Sequence, residues 1–438
     1  MTAFVRFDRR TILAWSGWLA LIVAAPLLSS KGFYLSLLCR IGLMTIFALS
    51  YNMLLGQTGL LSFGHAVYYG LGAFATMHVL NALKGWVPIT VLPLAGGAAA
   101  LLFAVVFGYV ITRKAGTTFA MISLGVGEMV ASSSLMFPHF FGGEGGISGN
   151  RVTGKGWFGI NFGTQLQMYY LIVAWTVVCV VAVWALTQTP LGRMANAVRD
   201  NPERVEFVGY SPQWIRYLMV VLSGFFAGIA GGLTALQYEI VTAEVLSDYT
   251  SGIVILMVFV GGTGSFAGPI IGAVLITILQ VAVASVTPAW PFYFGLFFLL
   301  MVLYAPGGIA SILAEHRAVW RAGLLKRLMP SYLLAALPVA LLVAGIISMV
   351  EMAYAAVNAA ERGTTELHIL GARLDGATAL SWVEAAASIG AGLFLLRLAG
   401  EKVSHGWQDV SAGLREVAVR DVAVRGVAVR DVAAREAP

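Results

Sequence analysis

About twelve apolar runs, most of them close to the length of a bilayer crossing, decide what this chain can fold into. A crossing helix needs about 20 mostly apolar residues. Such runs lie near 11–30, 33–54, 61–80, 87–112, 116–137, 168–188, 214–238, 249–262, 266–287, 291–305, 331–357 and 380–399. In hydrocarbon every backbone N–H and C=O must be satisfied within the protein, which leaves helices or closed barrels. Runs of this length select helices. Hydrophobic residues make up 59% of the chain and charged residues only 11%, against roughly a quarter charged in soluble domains. A soluble enzyme is excluded. The expectation is an all-α, polytopic membrane protein of about 12 spans. Residues 249–262 and 291–305 are too short to cross comfortably and read as broken, tilted or re-entrant helices.

Charge then orients the chain. With the N-terminus in the cytoplasm and sides alternating, Lys31, Arg40, Lys84, Arg151, Lys155, Arg362 and Arg373 fall outside, and the remaining twenty of the 27 basic residues fall inside. That is the bias expected of cytoplasmic loops. Both termini are therefore expected in the cytoplasm. The net charge of +6 reads as topology and contact with anionic membrane lipids, and calls for no nucleic acid. Cys39 and Cys179 sit in different spans and form no disulfide or metal framework. The six histidines are scattered without metal-ligand spacing, no nucleophile has a base at motif spacing, and no cofactor is expected.

A polar island, Leu191 to Pro212 (LGRMANAVRDNPERVEFVGYSP), interrupts the apolar pattern on the cytoplasmic side. Asn201, Pro202 and Glu203 spell a helix start: a capping acceptor, a residue with preset φ, and an acid in the first turn. Gly209 suits a C-terminal cap, and Pro212 prevents continuation. Two short helices joined at Asp200 and Asn201 are predicted, with Val205 and Val208 forming an apolar edge on the second. The charge pattern leaves two readings open, a helix that docks on a soluble partner or a connector resting on lipid headgroups.

Three further features stand inside the spans. Gly56 to His65 (GQTGLLSFGH) should break a helix, and such backbone is tolerated at membrane depth only where it is buried in protein or lines a cavity. In transporters, broken helices near the midplane frame the substrate. Gln57, Ser62 and His65 are thus pathway candidates, the alternative being a cytoplasmic turn with an interfacial histidine. Glu128 lies mid-span, where an ionisable group is costly and points to function; it joins the candidates, or is a packing group bonded to Ser132, Ser133 and Ser134. Gly224, Gly228 and Gly232, with the pair Gly268 and Gly272, mark faces where helices approach closely.

The glycine-rich stretch from Pro138 to Gln167 has no helical period and reads as an ordered outer loop. Gly149, Gly154 and Lys155 approach the phosphate-cradling pattern, but Gly156 stands where Ser or Thr is needed and no strand precedes it. ATP chemistry, where needed, belongs to another chain. Beyond about residue 330 come two more spans and a tail repeating in fives (VAVRD, VAVRG, VAVRD, VAARE). Five residues turn a helix by about 500°, so the valines build no stripe. The tail reads as low-complexity, surface-associated or disordered.

In its motifs the chain resembles the inner-membrane permeases of ATP-driven branched-chain amino acid importers, and in particular their longer, LivM-like subunit. The matching pieces run from Ala48 to Phe74, Phe119 to Val130, Phe141 to Gly149, through the island with Leu222 to Leu236, and from Gly261 to Leu275. The resemblance covers about residues 30–310. It implies an ATP-binding-cassette importer permease core at 31–315, after an N-terminal span at 1–30 and with its cytoplasmic coupling segment at 191–212. Two additional spans (316–400) and a basic repeat tail (401–438) lie outside it. It further implies that the island meets the ATPase, which makes Arg199, Asp200, Asn201, Pro202, Glu203, Arg204, Glu206 and Gly209 coupling candidates. Val205, Glu206 and Phe207 depart from the alanine-rich pattern usual there. The implied partners are ATPase subunits, a second permease subunit and a periplasmic substrate-binding protein, in a bacterial inner membrane, with no covalent chemistry on this chain. Importers of urea and other small solutes are built on similar permeases. From the residues alone, a proton-coupled secondary transporter using Glu128 or His65, or a membrane scaffold whose basic tail recruits lipid or a partner, stays open.

Overall fold

Apolar side chains leave the backbone of a membrane segment no partner but itself, and each of the apolar runs holds a helix. The computed structural model describes residues 9–29, 31–83, 86–153, 161–358, 366–369 and 372–435. The helices are α1 (Arg9–Ala24), α2 (Gly32–Thr58), α3 (Ala66–Leu83), α4 (Leu92–Ile111), α5 (Gly116–Met136), α6 (Pro138–Phe141), α7 (Gln165–Gln188), α8 (Pro190–Asp200) and α9 (Pro202–Phe207). They continue with α10 (Pro212–Tyr238), α11 (Asp248–Gly261), α12 (Gly268–Ala284), α13 (Trp290–Tyr304), α14 (Gly308–Arg321), α15 (Leu325–Val357) and α16 (Ala379–Arg435). Two antiparallel two-stranded ladders are also present among the described residues, β1 (Ile147–Ser148) with β2 (Ile240–Val241) and the hairpin β3 (Glu366–Ile369) with β4 (Ala372–Asp375).

The expected count of about twelve spans is coarser in the structure. Among the described residues seven helices are long and apolar enough to cross, or eight if α13 and α14, bent by 52° at their break, form one span. Length explains the difference. At 1.5 Å per residue, α11 with its 14 residues reaches about 21 Å, short of the roughly 30 Å hydrocarbon core. The short runs suspected of being broken are α11 and the α13–α14 pair.

The chain divides into two compact units, residues 1–285 with 296–310 and residues 286–295 with 311–438. In the first, α10 is the central post, with α2, α3 and α4 packed around it. Its predicted glycine face is where they close. A Cβ on Gly228 would stand 2.5 Å from the Gly96 carbonyl oxygen of α4, and one on Gly232 would stand 2.5 Å from Thr76 Oγ1 of α3. Backbone contact this close is what small residues provide when lipid supplies no hydrophobic drive between helices. Gly268 and Gly272 do the same between α11 and α12, where a Cβ on Gly272 would meet the Met257 carbonyl at 1.8 Å.

In the second unit α15 and α16 form a close antiparallel pair; a Cβ on Gly392 would stand 2.7 Å from the Leu342 nitrogen. Val319, Leu328 and Val410 make a small core with Trp407 and Tyr332, and Tyr293 donates a hydrogen bond to Glu351 Oε1 at 2.9 Å. The tail, expected as low-complexity or disordered, is helical backbone to Arg435, so the boundary drawn at 400/401 falls inside one continuous helix. The repeat is rich in alanine and arginine, both strong helix formers, and its acids at 416, 421 and 431 each precede an arginine by four residues, the favourable order for a helical pair.

Replacing Gly228 by leucine should lower the stability of the protein in detergent by about 1–3 kcal/mol or more through overpacking. Gly125→Ala, where an added Cβ meets nothing within 4 Å, should leave the thermal midpoint unchanged or raised.

Candidate functional site

The predicted break exists, and it lies deep. α2 ends at Thr58, and Gly59 takes the left-handed conformation (φ 69°) that glycine adopts without a Cβ penalty. The N–H groups of Gly59 and Leu60 return to the carbonyls of Leu55 and Leu54. The chain then doubles back along α2. Ser62 N–H donates to Tyr51 Oη at 3.2 Å, and His65 Nε2 lies 3.0 Å from Ser50 Oγ. Ser50 is eight residues before the end of α2, so α3 begins about 12 Å inside that end.

Non-helical backbone at that depth needs partners, and three helices supply hydroxyls. Tyr51 of α2 accepts from Ser62, Ser123 of α5 accepts from Phe63 N–H at 3.1 Å, and Ser251 of α11 accepts from Ala66 N–H at 3.0 Å. Gly64 allows the approach of α5, since a Cβ there would stand 2.1 Å from the Ser123 carbonyl oxygen. The Ala66–Ser251 bond also brings the N-terminal turns of α3 and α11 together in mid-protein. This is why α11 is short: it starts at the break.

The four pathway candidates separate. Gln57, Ser62 and His65 are buried, His65 completely, with its ring between Phe47, Tyr51 and Tyr68. Gln57 Oε1 and Asn52 Oδ1, in the last turns of α2, have no hydrogen-bond partner among the described residues. Glu128 is on the exposed face of α5, with Met121, Gly125 and Ser132 in line above and below it. Its carboxyl faces that of Asp248 in the first turn of α11. The expected bond to the following serines is not made; Ser133 and Ser134 turn back to the carbonyls of Met129 and Ala131 on their own helix. Near the start of α2, Arg40 donates to Gln280 Oε1 at 2.9 Å, and Gln280 donates on to Tyr249 Oη, also at 2.9 Å.

The island forms the two helices expected of it, α8 and α9. Asn201 caps α9, its Oδ1 accepting from Arg204 N–H at 3.0 Å, and Gly209 is left-handed at φ 92°. Glu203 is in the first turn, on Pro202. The predicted apolar edge is corrected. Val205 is buried, but Val208 is 73% exposed, because α9 ends at Phe207 and Val208 lies in its cap. Phe207 itself is 90% exposed, with Tyr210 and Trp214 also on the surface. α8 is seated by buried Gly192, Ala195 and Val198. Arg199, at its end, donates from Nε to Asp200 and from Nη1 to the Gly56 carbonyl oxygen of α2.

At the opposite end of the first unit the glycine-rich loop is ordered through Thr153, while Gly154 to Gly156 of the phosphate-loop near-match lie outside the described residues. Arg151, which sequence reasoning did not single out, is buried and donates to the carbonyls of Leu236 and Gln237 at 3.1 and 3.0 Å. A cation there meets the negative end of α10. Its backbone N–H donates to Glu239 Oε1, and Glu239 is left-handed at φ 58°. Asp248 was also missed, although Ser247 followed by an acid before an apolar helix is a capping signal.

A bundle of apolar helices with a break packed about 12 Å inside the end of α2, glycine-sealed helix contacts and a polar helix pair strung between two spans fits a membrane permease. The family profile described as "Branched-chain amino acid transport system / permease component" matches residues 33–306, and the chain belongs to that family. It is 28% identical over 312 residues to the high-affinity branched-chain amino acid transport system permease protein LivM of Escherichia coli, covering 66% of this chain and 73% of that one. It is 23% identical to BraD of Pseudomonas aeruginosa, a permease protein of a system of the same description, over 60% and 90% of the two chains. The fructose import permease protein FruF of Bifidobacterium longum is 27% identical over 54% and 67%. No solved structure matches.

Ser251→Ala should leave the Ala66 N–H buried without an acceptor. The expected loss is about 1–3 kcal/mol, read as a lower unfolding midpoint of the purified protein.

Proposed function

We propose that this chain is one permease subunit of an ATP-binding-cassette importer for branched-chain amino acids in a bacterial inner membrane, moving substrate inward by alternating access. Its partners in this reading are ATPase subunits at the island, a second permease subunit in the membrane and a periplasmic binding protein. Hydrolysis belongs to the ATPases. Both termini and the island are cytoplasmic in this reading, and α1, α3, α11, α12 and the α13–α14 pair add to the seven long helices to make the expected dozen membrane segments. The likeness to LivM and BraD supports the substrate class.

The observation that carries the coupling role is the island's shape. Val205, Ala195 and Val198 are buried while Phe207 and Val208 are exposed by 90% and 73%. A connector lying on headgroups has no need of a rigid seat. A helix pair fixed from below, with one aromatic side chain standing free, fits a groove on a soluble partner. Arg204, Glu203, Asp200 and Glu206 surround it and set the charge register of that contact.

Glu128 is the pathway residue of this reading. An exposed carboxyl at membrane depth must face a partner or a water-filled cavity. The α5 face that carries it, with Asp248 beside it, is assigned to the cavity shared with the second permease. Gln57, Ser62 and His65 are buried behind this wall, at the break. The fructose permease among the relatives fits this division, since the scaffold can stay while the wall changes. A proton-coupled transporter would work without companion chains, and the likeness to permease components of transport systems weighs against it.

In vesicles holding both permeases, the ATPases and the binding protein, leucine uptake should require ATP. Phe207→Asp, and Glu203→Ala with Arg204→Ala together, should lower uptake at least about tenfold, the effect of losing roughly 1.4 kcal/mol or more at a docking centre. The inserted permease should remain at normal levels. Uptake without ATP, or unchanged uptake in both variants, would count against the proposal.

A further inference from the structure

We propose that Arg199 is the transmission residue of this permease, joining the cytoplasmic helix pair to the broken end of α2 from within the chain. The proposal rests on the reading of the island as the ATPase-coupling segment. It gives Arg199 a different job from its neighbours, which face the partner.

The geometry is specific. Arg199 is the penultimate residue of α8, two residues before the Asn201 cap of α9, so it stands at the joint between the two short helices. Its Nη1 donates to the Gly56 carbonyl oxygen across 143 residues of sequence, and its Nε is held by Asp200 at 3.0 Å. Helix ends leave carbonyls without intrahelical partners. Gly59 and Leu60 satisfy those of Leu55 and Leu54, and Arg199 satisfies Gly56 from outside. A guanidinium at a helix C-terminus is favoured by charge as well as by hydrogen bonding.

What Arg199 holds is the start of the break. Gly59, the left-handed hinge that sends the chain back along α2, lies against the Arg199 side chain; an added Cβ would stand 3.1 Å from its Cγ. On the other side, a Cβ on Gly56 would meet the Thr263 carbonyl oxygen at 2.7 Å, in the turn between α11 and α12. Arg199, Gly56 and Thr263 therefore make one packed junction. From it, α2 leads to Tyr51 and Ser50, which hold Ser62 and His65, and α11 leads to Ser251, which holds Ala66. The neighbouring amide oxygens of Asn52 and Gln57 lack partners among the described residues. Displacement of α8 is thereby delivered to α2, to α11 and to both half-helices that meet beside Glu128 and Asp248.

The test uses the complete importer in vesicles with Arg199→Ala, Arg199→Lys and the docking variant Phe207→Asp. Three quantities are read: ATPase copurifying with the permease, ATP hydrolysed, and leucine transported per ATP. Arg199→Ala should retain the ATPase and its hydrolysis yet lower leucine per ATP by about tenfold, the consequence of one lost charge-assisted bond. Arg199→Lys, which keeps a donor, should recover part of that ratio. A merely structural role would lower folded protein without changing the ratio. Unchanged leucine per ATP in Arg199→Ala, or loss of bound ATPase in step with uptake, would overturn the proposal. Failure of the wild-type permease to bind an ATPase would instead overturn the reading of the island itself.

Discussion

Seven non-helical residues, from Gly59 to His65, are packed inside a membrane protein, and the requirement to satisfy their backbone organises the elements around them. Hydrocarbon offers no partner, so Tyr51, Ser123 and Ser251 must come from three helices to accept from Ser62, Phe63 and Ala66. Those bonds fix α5 and α11 against α2 and α3. They also decide that α11 starts at mid-depth, and that the carboxyls of Glu128 and Asp248 meet beside the break.

Much of this was legible, for local reasons. The Asn201-Pro202-Glu203 start and the Gly209 stop are set by chemistry within a few residues, and the two short helices formed as those residues dictate. The break was legible in GQTGLLSFGH for the same reason. Its partners were not. Ser123 and Ser251 lie 60 and 185 residues away from the N–H groups they accept from, and a single sequence carries no mark of such pairing. Val208 was misplaced by assuming the helix face ran on through its cap. Glu128 was visible as an intramembrane acid, but its orientation toward Asp248 rather than its own serines depends on where α11 begins. The repeat tail was judged by its lack of an apolar stripe, which says how a helix packs and not whether one forms.

The second unit stands apart in this account. It carries its own small core around Val319, Leu328 and Val410 and lies almost wholly beyond the family match at residues 33–306. The break and the island both lie in the first unit, between two clamps at opposite ends. Arg151 ties the glycine-rich loop to the carbonyl end of α10, and Arg199 ties α8 to the carbonyl end of α2. Each clamp is an arginine on a helix C-terminus, the charge a helix dipole favours there.

The central claim is that the island and the packed break behave as one body. Spin labels on exposed Arg193 of α8 and exposed Gly264 in the turn after α11, each replaced by cysteine, would report it by pulsed distance measurement in the assembled importer. The account predicts a distance distribution that keeps its mean between the nucleotide-free and ATP-bound states. A mean that moves beyond the width of the distribution on ATP binding would show that α8 slides over the end of α2, and would contradict it.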